Sequence, residues 1–169
     1  MAAITEGDRE DAEIRLKAHP RLALVKDVQG NTPLHLLVEG NRVPVARFLM
    51  SHYGNVNAMN LHDNTPLHVA AERDHAPVAQ LLISHGADVN ARNQHGDTPL
   101  LVAARNDSEL VGRSLVEAAA AATLAALKAT TNGGVPSKWD GDRFVREALD
   151  VAKKSGSHKM AALFTQNES

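Results

Sequence analysis

"NTPLHVAAE" occupies residues 64–72, "NTPLHLLVE" residues 31–39 and "DTPLLVAAR" residues 97–105. Thr32, Thr65 and Thr98 stand at a constant spacing, since 65 − 32 = 33 and 98 − 65 = 33. Self-similarity at a fixed period of this size belongs to arrays in which one small unit is stacked repeatedly, each unit burying its apolar side against the next.

The middle copy shows how one unit folds. Thr65 is placed to cap a helix, its hydroxyl accepting from a backbone N–H in the first turn. Pro66 follows at the first helical position, where a missing N–H costs nothing. Leu67, Val69, Ala70 and Ala71 give a short helix with small residues that let another helix come close. A turn is expected at Arg73–Asp74, then a second helix through "PVAQLLISH" with Pro77 in its first turn. Gly86 ends it, free to take a positive φ. "ADVNARNQHGD" is rich in turn formers and leads to the next Thr-Pro.

On the strength of "TPLHVAA" and "HGADVNA" in register with two further copies, the chain resembles the ankyrin repeat family. The resemblance implies an all-α solenoid of stacked helix-turn-helix units with projecting hairpin loops, about five repeats counting degenerate caps. Repeats are placed at 27–59, 60–92 and 93–120 within one domain spanning 1–169. Residues 1–26 read as an N-terminal cap whose first helix is cut short near Met1 and whose second carries Glu, Asp, Lys and Arg. Residues 147–169 read as a C-terminal cap, with Glu147-Ala148-Leu149 in place of Thr-Pro-Leu.

Between these lies an insertion. From Thr98 to Glu147 is 49 residues, 16 beyond the period. "SELVGRSLVEAAAAATLAALKATTNGG" lacks the Gly-Ala-Asp stop, so its helix is expected to continue to about Thr130 and end at Asn132-Gly133-Gly134. Residues 121–146 are assigned to this extended helix and an inserted loop. Val116, Ala120, Leu124 and Leu127 make an apolar stripe along the overhang. "VPSKWDGDRFV" holds the only tryptophan. It is expected to fold back so that Trp139 and Phe144 cover Leu124 and Leu127. The alternative is that these four residues form an extra contact site or a dimer surface.

Composition bounds the rest. Net charge is −2, too small to draw nucleic acid or an anionic membrane. There is no cysteine, which removes disulfides and thiolate chemistry together. The opening residues carry no basic region followed by an apolar core, and no apolar run is long enough to cross a bilayer. A cytoplasmic protein is expected, monomeric unless the insertion pairs two copies. No phosphate loop, nucleophile elbow or dinucleotide fingerprint is present. Neither a catalytic residue nor a cofactor is expected.

Eight of the nine histidines divide into groups. By resemblance, His35 and His68 bond to Thr32 and Thr65 and to nearby backbone, tying adjacent repeats. Leu101 stands where the third such histidine would be. His62 and His95 lie near loop tips without enough converging ligands for zinc. His52, His75, His85 and His158 read as solvent-facing helix ends or turns.

In the family a partner is gripped on the concave face by loop tips and the exposed end of the first helix. Transferred by register, this implies Val28, Gln29 and Asn31 at the first tip, Leu61, His62 and Asn64 at the second, and Gln94, His95 and Asp97 at the third. The helix ends supply Glu39 and Gly40, Glu72 and Arg73, and Arg105 and Asn106. This mixed, amide-rich surface suits a protein partner; DNA would call for a basic stripe. A protein-binding adaptor is therefore expected, with a structural or self-associating protein as the alternative.

Overall fold

The structure, a computed structural model, describes residues 9–129 and 141–166. The side chains at 9, 120–129, 141–145, 155 and 163–166 lie outside that description. Among the described residues there are nine α-helices, one short 3-10 helix and no strand.

The repeated letters produce the repeated elements. Helices α2 (Pro33–Glu39), α4 (Pro66–Arg73) and α6 (Pro99–Asn106) each open on the proline that follows the capping threonine. Each is followed by a second helix: α3 (Val43–His52), α5 (Ala76–Ser84) and α7 (Glu109–Ala129). α1 (Arg9–Ala18) precedes them with a 3-10 turn at Pro20–Leu24, and α8 (Gly141–Ser155) and α9 (His158–Gln166) follow. α2, α4, α6 and α8 stack side by side in one layer, and α1, α3, α5, α7 and α9 in the other.

The turn between paired helices uses the same device three times. Asn41, Asp74 and Asp107 take φ of 51°, 53° and 55°, a left-handed conformation that Asn and Asp tolerate better than other side chains. The two carboxylates among them also bind the neighbouring unit. Asp74 Oδ1 accepts from Val111 N–H at 3.0 Å, and Asp107 Oδ1 from Lys159 and Met160 N–H at 3.1 and 3.2 Å. A carboxylate at a helix N-terminus satisfies orphan donors and opposes the helix dipole.

The core is a continuous strip of aliphatic residues between the layers. Leu37, Leu67, Ala70, Ala71, Leu82, Leu100, Ala103 and Ala104 are fully buried. Alanines in the first-helix layer let those helices approach closely, while leucines fill the gap to the second layer. At the N-terminal end, α1 buries Ala12 and Leu16 and carries the surface pairs Arg15–Asp11 and Lys17–Glu13.

One feature differs from the expectation at the insertion. α8 begins at Gly141, inside the segment assigned to the inserted loop and six residues before Glu147. The cause is visible in the sequence: apolar residues at 144/145, 148/149 and 151/152 keep helical spacing through position 147. α7 is described to Ala129 and has 21 residues, against 9 in α5. Thr130, the Asn132-Gly133-Gly134 stop and Trp139 lie outside the described residues, as do the side chains of Ala120, Leu124, Leu127 and Phe144.

Candidate protein-binding face

The loops that precede α2, α4 and α6 are three near-identical hairpin turns. Asp27 N–H donates to Asn31 O, Asn60 to Asn64 and Asn93 to Asp97, at 3.0, 3.1 and 3.0 Å. The first residue of each turn also folds its side-chain oxygen over the loop. Asp27 Oδ1 accepts from Gln29 and Asn31 N–H, Asn60 Oδ1 from His62 and Asn64, and Asn93 Oδ1 from His95 and Asp97. At Asp27 slight desolvation raises the pKa, but these bonds with Asn31 and Gln29 outweigh it and leave the carboxyl below its ordinary range.

Successive loops are laced together. Leu61 N–H donates to Gln29 O at 2.9 Å and Gln94 N–H to His62 O at 3.1 Å. An amide ladder runs alongside, with Asn60 Nδ2 donating to Asn31 Oδ1 at 2.8 Å and Asn93 Nδ2 to Asn64 Oδ1 at 2.9 Å. Asn31 and Asp97 are consequently buried, 9% and 6% exposed, and Asn64 is half-buried. Placing Asn31 and Asp97 at exposed tips is therefore corrected: their side chains face the neighbouring loop or helix.

Asp97 breaks the amide pattern of Asn31 and Asn64, and Arg105 breaks the acidic pattern of Glu39 and Glu72. The two departures belong together. Arg105 Nη1 and Nη2 reach the Asp97 carboxylate at 2.6 and 2.9 Å, a two-pronged pair within one unit. Arg73 likewise reaches back to Glu39 of the preceding unit at 2.7 Å. Four charges in the expected contact set thus neutralise one another, leaving Glu72 exposed between the pairs and Asn106 bonded to Val102 O.

The threonine–histidine motif fastens each loop from below. Thr32 N–H and Oγ1–H both point to His35 Nδ1, at 3.2 and 2.9 Å, completing a capping box in which histidine replaces the usual Glu or Gln. With Nδ1 an acceptor, Nε2 carries the proton and donates to Asn64 O at 2.9 Å, in the next loop. His68 repeats this with Thr65 at 3.1 and 2.9 Å and with Asp97 O at 3.0 Å. Both imidazoles are 1% exposed, and burial holds their pKa below the ordinary histidine value. In the third unit Thr98 Oγ1 accepts only from Leu101 N–H, at 3.4 Å.

What remains outward is mixed. Gln29, Leu61, His62, Gln94 and His95 are exposed along the tips, and Val28 is 94% exposed. The residue before each turn also belongs to this face, and the sequence reading omitted it: Lys26, Met59 and Arg92. Lys26 Nζ donates to Met59 O at 3.0 Å, so neighbouring shafts touch there. The missed signal was the period itself, since these three are also 33 apart and never the same residue. His75 is a further correction. It is half-buried, and its Nδ1–H donates to Val38 O at 3.0 Å in the preceding unit. No group of three or more metal-binding side chains occurs among the described residues, and no helix among them is long and apolar enough to cross a membrane.

A family model described as ankyrin repeats (3 copies) matches residues 1–93 and 56–126. No curated protein matches the chain. Ankyrin repeats generally mediate protein–protein interaction and are typically non-enzymatic modules. With the match covering more than half of its length and the all-helical stack in accord, the chain belongs to the ankyrin repeat family.

Proposed function

We propose that the protein is a cytoplasmic adaptor that binds a partner protein across its loop tips and the adjacent ends of α2, α4 and α6. The observation that carries this is the division of labour in the loops. Amides and main-chain groups are committed to one another, including the exposed side chains of Gln29 and Gln94, while Leu61, His62 and His95 project from this braced frame. Such a preformed surface loses little entropy on binding. Val28 and Leu61, with Met59 on the shaft, offer apolar contacts at one end. Glu39, Glu72, Arg73, Arg105, Asn106 and half-buried Asn64 supply a polar border; Asn31 and Asp97 drop out because they are buried.

A second reading, self-association through the insertion, is favoured by the length of α7 alone. Affinity capture from the native lysate separates the two. Loss of the partner in Leu61→Asp/His95→Asp, with capture retained in Trp139→Ala, supports the loop face. Loss confined to Trp139→Ala moves the site to the insertion, and wild-type mass that rises with concentration supports self-association.

A further inference from the structure

We infer that His35 and His68 are acid-labile clips, so that acidification loosens loops 60–64 and 93–97 from the stack while the helices stay folded. The loosening is independent of the binding role proposed above.

The argument is one of proton positions. Each imidazole uses Nδ1 as acceptor for two hydrogens of its threonine and Nε2–H as donor to a loop carbonyl. Protonation would place a hydrogen on Nδ1 facing the threonine N–H, turning that contact into donor–donor opposition, while the threonine hydroxyl would have to rotate from donor to acceptor. A charged ring in this position therefore weakens the clip and favours its opening. The surroundings do not rescue the charge. Around His35 stand Lys26, which opposes it, Asp27, which favours it, and His68, which opposes it. Around His68 stand Asp97 and Asp88, which favour it, but Asp97 is already paired with Arg105. At both sites burial is the largest influence and keeps the closed form neutral.

The sign follows. A histidine freed from its clip titrates near 6.5, whereas the closed one titrates lower. Above that pH neither form binds a proton, and the clip is at full strength. Below it the open form takes up a proton more readily than the closed form, so opening gains at most about fivefold over the first pH unit and about tenfold between pH 7.5 and 5.5. The third unit has Leu101 at this position and is blind to pH by the same logic.

The test uses the purified chain without a partner. Amide exchange is followed at Leu61 and Gln94, whose N–H groups bond to the preceding loop, with protection corrected for intrinsic rates at pH 7.5 and 5.5. Protection at both should fall about tenfold in the wild type, with amides inside α5 holding theirs. His35→Leu should remove the pH dependence at Leu61 and keep it at Gln94, and His68→Leu should do the reverse. Should either variant unfold, imidazole ¹⁵N shifts of the wild type decide: the closed form keeps the neutral Nε2–H state to lower pH than a free histidine does. Flat protection in the wild type, pH dependence surviving in both variants, or ordinary titration near 6.5 without loss of protection would each overturn the clip. None of these results bears on whether the loop face binds a partner, which the capture experiment decides separately.

Discussion

Gly30 and Gly86 show how differently two turn glycines can be required. Both have positive φ, +77° and +83°. A Cβ on Gly30 would also lie 2.9 Å from Leu61 N and 3.0 Å from its Cγ, where the next loop crosses; one on Gly86 would meet nothing within 4 Å. Gly86→Ala should therefore cost about 1 kcal/mol, the left-handed strain alone. Gly30→Ala should cost about 2 kcal/mol or more, because a backbone atom has to move as well. Urea denaturation of the two variants checks the order. At this scale the sequence was legible where a residue repeats and opaque where it compensates. Thr65-Pro66 and His68 announce a cap and a tie by recurrence. The partnership of Asp97 with Arg105 is written as two separate irregularities, and only the fold brings them to 2.6 Å. His75 was misjudged for a related reason, since its acceptor, Val38 O, lies 37 positions away.

Among the elements, helix starts were readable and helix joints were not. Proline after threonine marks the first residue of α2, α4 and α6. Nothing local marks Asp74 and Asp107 as caps for helices of the neighbouring unit, because their donors lie 37 positions away for Asp74 and 52 and 53 for Asp107. Asp107→Ala should cost about 1–2 kcal/mol and be felt first in α9, whose Lys159 and Met160 N–H groups lose their acceptor. Asp107→Asn should cost a few tenths, since the amide oxygen can still accept and Asn tolerates the left-handed backbone. Hydrogen exchange resolved by segment distinguishes a local release of α9 from global loss. The start of α8 at Gly141 is hidden in the sequence because "EALDVAKKS" falls in register with the repeat only from Glu147, although the apolar spacing already extends upstream.

For the molecule as a whole, stability is shared between neighbours, so each interface contributes separately. Letters repeated every 33 residues form those interfaces: Thr65 and His68 below the loop, Asn60 and Asn93 between loops, Leu67 and Leu100 in the core. Val28, Leu61 and Gln94, which change at that period, are exposed. The central claim is that scaffold and contact surface are written in separate positions. Thermal unfolding of His68→Ala beside Leu61→Asp/His95→Asp tests it most directly. Orphaning the buried bonds of His68 should cost about 1–3 kcal/mol and lower the midpoint by roughly 2–10 °C, while the double variant, altered at two exposed positions, should unfold with the wild type. A stable His68→Ala together with a destabilised Leu61→Asp/His95→Asp would contradict the account.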